Sequence, residues 1–375
     1  MRRAGAYLLS LALALCSGCA AGIGGTYRNI EELQIIETLG FDSHGGAVLA
    51  TAATGRDASG REVLRAAGAG EDVTAALRDM RELAGGGDLF FDSTGYILLG
   101  EAAAEEAGRY FDYIGRSGEL RLDTPLIVVR GGEAAELVLS AGGDAEDVTS
   151  ILSALEHDTE RSGTGFVPSC SDIAVSLERS GSALALAVRT AKSTAGDFDT
   201  AENAGYAIFS GGELAGYLDE DAALGAAMLF GLAGRADIGA GGVSARLIRC
   251  GCELEPVWEG DELRALRFRL DLRGSVTEAE AYPDLASAAR RGETEEALAP
   301  EAERMAASCL ATSQALGADF LGIGAELERR FPGRWKAIAA EWDELFRAVD
   351  VQVEAEWTLL RSYGYDTPPG LGEES

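Results

Sequence analysis

The sequence predicts a multidomain α+β fold with mixed sheets and packed helices. In the first half, short apolar runs such as residues 96–99 and 125–129 alternate with segments of helical periodicity such as residues 101–114. From residue 263 to 276, apolar and charged residues alternate one by one, which is typical of a strand with one buried face. A long helix is predicted at about 294–316. The C-terminal domain is therefore expected to be an antiparallel-rich sheet covered by long helices.

The chain begins in the manner of a bacterial lipoprotein precursor. Arg2 and Arg3 precede an apolar run at residues 7–15, which has signal-peptide length and is too short to span a bilayer as a stable helix. Ser17 and Gly18, just before Cys19, leave room for a processing peptidase, although Cys16 stands where leucine is usual. We expect residues 1–18 to be a lipoprotein signal peptide and Cys19 to carry a thioether-linked diacylglycerol. An ordinary cleaved signal or a short anchor helix is the alternative.

The charge balance restricts the kinds of partner. The chain has 375 residues, 62 acidic and 32 basic, for a net charge of −30. Such a chain repels nucleic-acid phosphates and anionic lipid, so nucleic acid is not expected as a partner. The covalent lipid at Cys19 must therefore do the anchoring, and two acyl chains suffice for it. The protein is expected outside the cytoplasm, lipid-anchored to the membrane.

Four cysteines remain after Cys19: Cys170, Cys250, Cys252 and Cys309. They permit three disulfide connectivities in an oxidising compartment. Cys250 and Cys252 would face the same side of a strand, a geometry that suits burial better than a mutual disulfide. We favour free buried thiols. His44 and His157 are the only histidines, so neither a metal site nor another cofactor is expected.

The first half reads as a hairpin followed by helices and strands. Residues 33–41 and 47–54 flank a turn in which His44 should be exposed. The remaining segments are expected as helices at 72–83, 131–139, 144–157 and 170–179, and a strand at 183–190. Residues 192–203 are small and polar without periodicity, and the main domain boundary is predicted there. This gives an N-terminal α/β domain over 19–198, a C-terminal α+β domain over 203–363 and a disordered tail over 364–375.

The second half opens with another hairpin at residues 206–218, after which Asp219 should cap a helix reaching about residue 232. Residues 239–242 are glycine-rich and are read as a flexible break. Strands are expected at 243–254 and 349–360, and a short helix at 325–330. One further helix should run from Pro332 to Phe346, with Trp335, Ile338, Trp342 and Phe346 on one face. The stripe of Trp335, Trp342 and Phe346 is predicted to be structural, covering the C-terminal sheet.

No catalytic constellation survives inspection of the sequence. A Ser-His-Asp triad needs a histidine base, and neither His44 nor His157 has a motif beside it. The glycines at 239–242 lack the Lys-Ser/Thr of a phosphate loop. The residues therefore indicate a membrane-tethered protein that binds or scaffolds and is not an enzyme.

Several short motifs occur in a fixed order along the chain: residues 29–33, 95–100, 121–124, 205–209, 214–218, 314–324, Phe331-Pro332, Trp335 and 342–346. Together they resemble the Ger(x)C lipoproteins, the C subunits of bacterial spore germinant receptors. One departure is Ala20-Ala21, where members of the family commonly carry Trp-Asp after the lipidated cysteine.

The resemblance implies a non-enzymatic subunit on the outer face of the spore inner membrane. It would assemble with a polytopic A subunit and a transporter-like B subunit to trigger germination when nutrients bind. Family structures imply a mixed α+β multidomain fold, and no small-molecule ligand residue is assigned. The rival interpretations are an extracytoplasmic solute-binding lipoprotein, which needs a deep interdomain cleft, and a lipoprotein hydrolase, which lacks its base.

Overall fold

The computed structural model describes residues 33–55, 63–84, 88–140, 147–163, 165–194, 199–279 and 287–360, with Glu220 described by its backbone alone. The predicted signal peptide, Cys19 and the predicted tail lie outside these residues. Within them the chain forms two mixed sheets with packed helices, and the predicted α+β fold is confirmed.

Nine strands make the first sheet. They are β1 (Leu33–His44), β2 (Ala47–Thr54), β3 (Arg65–Gly70), β4 (Asp88–Phe90), β5 (Tyr96–Gly100), β6 (Leu126–Val129), β7 (Ser182–Lys192), β8 (Asp199–Ser210) and β9 (Glu213–Leu218). Eight lie in the order β3-β2-β1-β5-β6-β7-β8-β9, and β4 pairs with the start of β1. The central strands β1, β5, β6 and β7 are parallel, and antiparallel hairpins extend the sheet on both sides.

Six helices cover the two faces of this sheet. They are α1 (Val73–Leu83), α2 (Glu101–Glu105), α3 (Ala107–Arg116), α4 (Ala134–Ser140), α5 (Val148–Ser162) and α6 (Cys170–Ser180). Every residue of β5 and β6 is buried, as expected for parallel strands covered on both faces. Leu98 packs in one core and its neighbours Ile97 and Leu99 in the other, because successive side chains of a strand alternate.

The second sheet has four strands in the order β10-β11-β12-β13. They are β10 (Asp237–Ala240), β11 (Val243–Glu259), β12 (Glu262–Ala279) and β13 (Asp350–Leu359), and only β12 and β13 are parallel neighbours. The helices of this half are α7 (Glu220–Leu229), α8 (Ala288–Leu316), α9 (Ile323–Arg330), α10 (Pro332–Ile338) and α11 (Trp342–Ala348). The 29-residue α8 lies along β13, so the predicted helix-covered sheet is present.

Carboxylates from α8 occupy the outer edge of β13. The N–H of Ala355 donates to Glu303 at 2.9 Å, and the N–H of Leu359 donates to Glu295 at 2.7 Å. A free strand edge is a template for pairing with other chains. These two bonds therefore help to keep the second sheet from aggregating along its edge.

Helix α7 joins the two sheets. It contacts β8 and β9 of the first sheet, β11 and β12 of the second, and helix α8. All of its residues from Ala222 to Leu229 are buried, and they belong to one hydrophobic core that also contains Leu186 and Leu270. The close fit depends on Gly225, where an added Cβ would lie 2.2 Å from the backbone oxygen of Met305 on α8.

The stretch at residues 192–203, where the main domain boundary is predicted, connects β7 and β8 of the first sheet. Here β7 turns back into β8, Lys192 opposes Asp199, and their charged groups lie 2.7 Å apart. Since β8 and β9 complete the first sheet, the chain moves to the second sheet only after Leu218. Of the polar, aperiodic residues, 192 and 199–203 are partly or fully exposed at the paired ends of β7 and β8, and an exposed strand end has no need of a one-sided apolar pattern.

Two predictions for the second half are wrong in detail. Residues 239–242 are not a flexible break, because β10 pairs with β11 through a turn at Gly241 and Gly242, both with positive φ as a two-residue hairpin turn requires. Asp219 precedes α7, but its carboxylate makes no capping hydrogen bond and instead lies 3.0 Å from Arg130.

The predicted single helix from Pro332 to Phe346 is also wrong, because a 3₁₀ turn at Ala339–Glu341 separates α10 from α11. In a continuous helix, residues seven apart would lie about 10 Å apart along the axis. The break instead brings the rings of Trp335 and Trp342 edge to face, with centroids 5.3 Å apart. Contact between these two rings therefore favours the broken helix.

The packing of α7 leads to a prediction with a matched control. Replacing glycine by alanine inside a helix ordinarily stabilises it by about 0.5–1 kcal/mol. Gly225→Ala should instead lower the free energy of unfolding by about 1–3 kcal/mol, because the methyl group overlaps α8. Gly292→Ala on α8, where an added Cβ meets nothing within 4 Å, should give the ordinary gain. Urea unfolding of both variants is the measurement, and a gain for Gly225→Ala would contradict this packing.

Candidate functional site: the C-terminal aromatic cluster and the inter-sheet grooves

The predicted aromatic stripe lies at the end of the second sheet. Trp342 and Phe346 are buried, with ring centroids 5.6 Å apart, whereas Trp335 is only half-buried. The ring of Trp258 on β11 lies beside this cluster, 6.2 Å from that of Phe331. The three predicted residues are thus brought together, with Trp335 at the rim.

A buried aspartate organises this cluster. Asp319 accepts hydrogen bonds from the N–H groups of Ile323 and Gly324, both at 2.8 Å, and from the indole N–H of Trp342 at 3.3 Å. It therefore caps the start of α9 and holds the indole of α11 at the same time. Asp319 belongs to the motif at 314–324, but the sequence predicts no role for it.

Gly322 and Gly324 of that motif have different physical roles. Gly322 has φ +69°, a left-handed conformation that favours glycine. At Gly324 an added Cβ would lie 2.6 Å from the indole nitrogen of Trp342 and 3.0 Å from Trp335. The spacing Gly-x-Gly after Asp319 thus allows a tight helix start with two tryptophans packed against it.

The environment of Asp319 raises its pKa to about 6, because burial disfavours the carboxylate more strongly than its hydrogen bonds favour it. Asp42 has the same character: its pKa is also raised by burial, and it accepts the N–H groups of Ala134 and Ala135 at 2.8 and 2.9 Å. Asp147 caps α5 through Ser150 at 2.8 Å. The buried aspartates of the described chain are therefore engaged at helix starts, which accounts for them without catalysis.

The cysteines and His44 are the remaining side chains that could carry chemistry. Cys170, Cys250 and Cys309 are buried free thiols, and Cys252 is a half-buried one. His44 is the exposed last residue of β1, beside the turn, with its imidazole 3.7 Å from Glu133. In the described ranges no cluster of histidine, cysteine and acidic side chains could hold a metal ion. Nor does any helix there combine the length and apolar character needed to cross a membrane.

Two grooves lie between the halves of the molecule. The first, of about 1000 Å³, runs between α6, β11 and α9 and includes the exposed side chains of Val175 and Phe230. Some charged groups on its walls are already engaged, since Asp172 closes a capping box with Ser169 and Glu326 lies 2.7 Å from Arg329. The second groove, of about 1020 Å³, runs between α5, the start of β10 and β11.

The features above define a class of α+β proteins in which two mixed sheets share one hydrophobic core. Residues 26–189 match the family described as "Spore germination protein N-terminal domain", and residues 204–363 match "Spore germination B3/ GerAC like, C-terminal". The chain belongs to the GerAC-like family of spore germination proteins. This is the family that the sequence motifs resemble, so that prediction is confirmed.

The crystal structure of the GerBC protein has the same fold. It superimposes with a TM-score of 0.56 at 17% sequence identity, over 86% of this chain and 97% of that chain. No curated protein matches the sequence. Both family descriptions name spore germination as the process in which their members act.

The raised pKa of Asp319 predicts a specific pH dependence. Since the folded carboxyl holds its proton up to about pH 6, above its ordinary pKa of 3.8, it contributes stability below pH 3.8 that is lost as pH rises through 6. Relative to Asp319→Asn, the wild-type free energy of unfolding should fall by about 3 kcal/mol between pH 4 and pH 7. Chemical unfolding across this range is the measurement.

The exposed Asp343 on α11 supplies the control Asp343→Asn, which removes a carboxyl group nearby without touching the buried bonds. Parallel pH curves for wild type and Asp319→Asn would contradict the account of this carboxyl.

Proposed function

We propose that this chain is the lipid-anchored C subunit of a spore germinant receptor. In this proposal the peptide 1–18 is removed and Cys19 carries the diacylglycerol and palmitate chains. The folded part then stands on the outer face of the spore inner membrane. There it assembles with the A and B membrane subunits and takes part in nutrient-triggered germination without catalysing a reaction.

One observation carries the proposal. Both family regions occur in order in one chain, and the fold extends over nearly the whole GerBC chain. The first matched region starts shortly after Cys19, which supports a short tether between lipid and folded part.

The packing supports assembly over solute capture. A solute-binding protein that closes on its ligand needs two lobes that move about a hinge. Here α7 is buried between the two sheets in a single shared core, which leaves little freedom for such closure. We also infer that Trp335, Trp342 and Phe346 act structurally, since Asp319 and Gly324 fix their packing.

Fractionation of spores tests the anchor and the assembly together. The wild-type protein should remain in the membrane fraction after a high-salt wash and should co-purify with the A and B subunits in detergent. Cys19→Ala should move the protein to the soluble fraction. Without acyl chains, a protein with a net charge of −30 has no overall affinity for anionic lipid.

Cys16→Ala is the matched control, since Leu15 makes Cys16 a poor acceptor, and this variant should stay membrane-bound. Retention of Cys19→Ala on salt-washed membranes would exclude the lipid anchor. Recovery of the wild-type protein without either membrane subunit would exclude the assembly.

A further inference from the structure

The second inter-sheet groove contains two arginines that have no ionic partner among the described residues. Its charged lining consists of Asp158 and Arg161 on α5 together with Arg235, Asp237 and Arg246 on the second-sheet side. Arg246 is engaged, donating to both oxygens of Asp237 at 2.9 and 2.8 Å. The side chains of Arg161 and Arg235 make no ion pair or hydrogen bond with any other residue that the structure describes.

Elsewhere in this acidic chain, arginines are typically paired. On β12, for example, Arg269 lies 3.1 Å from Glu255 and 3.5 Å from Glu354. Against the two free guanidinium groups the lining sets one further acid, Asp158, so its five charged groups leave a net charge of +1, whereas the chain carries −30. The groove lining therefore has the opposite sign to the molecule as a whole.

The backbone holds Arg235 in an unfavourable conformation. It has φ +68°, the one positive φ among the described non-glycine residues, and such strain clusters at functional positions. Gly163, at the end of α5, lies so close to Gly234, the residue before Arg235, that a Cβ added to Gly163 would overlap the Gly234 carbonyl. The N–H of Arg235 donates to the Leu247 carbonyl at 2.6 Å. These contacts fix the position of Arg235 beside the groove.

Large apolar side chains are exposed next to these arginines. Ile248 lines the groove with 52% of its surface exposed, and Leu232, three residues before Arg235, is 53% exposed. Ile248 falls at a register shift between Leu247 and Arg249, and such a bulge re-aims a side chain. We call Arg161, Leu232, Arg235 and Ile248 the joint patch.

We propose that the joint patch docks on the anionic surface of the bilayer to which the chain is tethered. Arginine binds lipid phosphates through its planar donor fork, and leucine and isoleucine enter the interfacial layer. The acidic remainder of the surface is repelled, so the patch sets which face of the protein meets the membrane. This proposal rests on the lipid anchor proposed above.

The tether is long enough for this orientation. Residues 20–32 span at most about 45 Å when extended. Inside the folded part, β1 runs about 17 Å from Leu33 to Thr38. The Thr38 hydroxyl lies 2.8 Å from that of Thr149 on α5, and α5 covers about 18 Å from there to Arg161. The linker therefore exceeds the path from Leu33 to the patch.

Docking of this kind orients a tethered chain but is too weak to recruit a free one. Each arginine near an anionic membrane shifts the equilibrium about fivefold, so two give about thirtyfold. A lipid tether supplies the high local concentration that makes such a shift effective.

Arginine footprinting on vesicles tests the proposal. The chain after Cys19, with an N-terminal histidine tag, is held on nickel-chelating vesicles of phosphatidylcholine with or without phosphatidylglycerol. Modification by phenylglyoxal is then read by mass spectrometry. Phosphatidylglycerol should slow modification of Arg161 and Arg235 by up to about thirtyfold at low salt. The protection should weaken at high salt because the charges are screened.

The exposed Arg78 on α1, which also lacks an ionic partner among described residues, is the internal control and should react equally on both vesicles. Arg161→Gln should reduce protection of Arg235 about fivefold, and Arg78→Gln should leave it unchanged.

Equal modification of Arg161 and Arg235 on both vesicle types would overturn the proposal. So would their protection by co-purified membrane subunits in a neutral detergent, which would assign the patch to a protein partner. Because the nickel tether replaces the natural lipid, the outcome is independent of lipidation at Cys19, which the fractionation experiment tests separately.

Discussion

The packing of one small-residue helix between two sheets holds the described structure together. Helix α7 is buried from Ala222 to Leu229, and its alanines and glycine let strands of both sheets and α8 approach closely. An amphipathic helix would leave one face to solvent, but α7 has no such face over this length. The N-terminal and C-terminal family regions are therefore halves of one packed unit, with β8 and β9 of the second region completing the sheet of the first.

Buried acids serve the same structural purpose. The side chains of Asp42, Asp147 and Asp319 each accept hydrogen bonds from backbone N–H groups at the start of a helix. Burial of a carboxyl is costly unless such bonds are made. These hydrogen bonds fix the starts of α4, α5 and α9 within the fold.

Sequence reasoning succeeded where the signal is local. The hairpin at residues 206–218, the alternating strand β12 and the helix α8 all carry periodic patterns set by their own burial. It failed where a long-range contact decides the outcome. The run Arg65–Gly70 consists almost entirely of alanine and glycine, which does not predict a strand, yet it pairs with β2. Likewise, the place of β8 in the first sheet depends on its pairing with β7.

The candidate sites show the same limit. The cluster of Trp335, Trp342 and Phe346 was visible as a stripe, but the 3₁₀ break and the role of Asp319 depend on which groups are buried beside them. The arginines of the joint patch look like any others in the sequence. Their lack of partners is a property of the folded surface alone.

The central claim is that the two sheets form one cooperative unit through α7. Differential scanning calorimetry of the chain after Cys19 tests this most directly, because independent domains unfold in separate transitions. The account predicts a single transition whose calorimetric and van't Hoff enthalpies agree. Two resolved transitions, one for each sheet with its own helices, would contradict it.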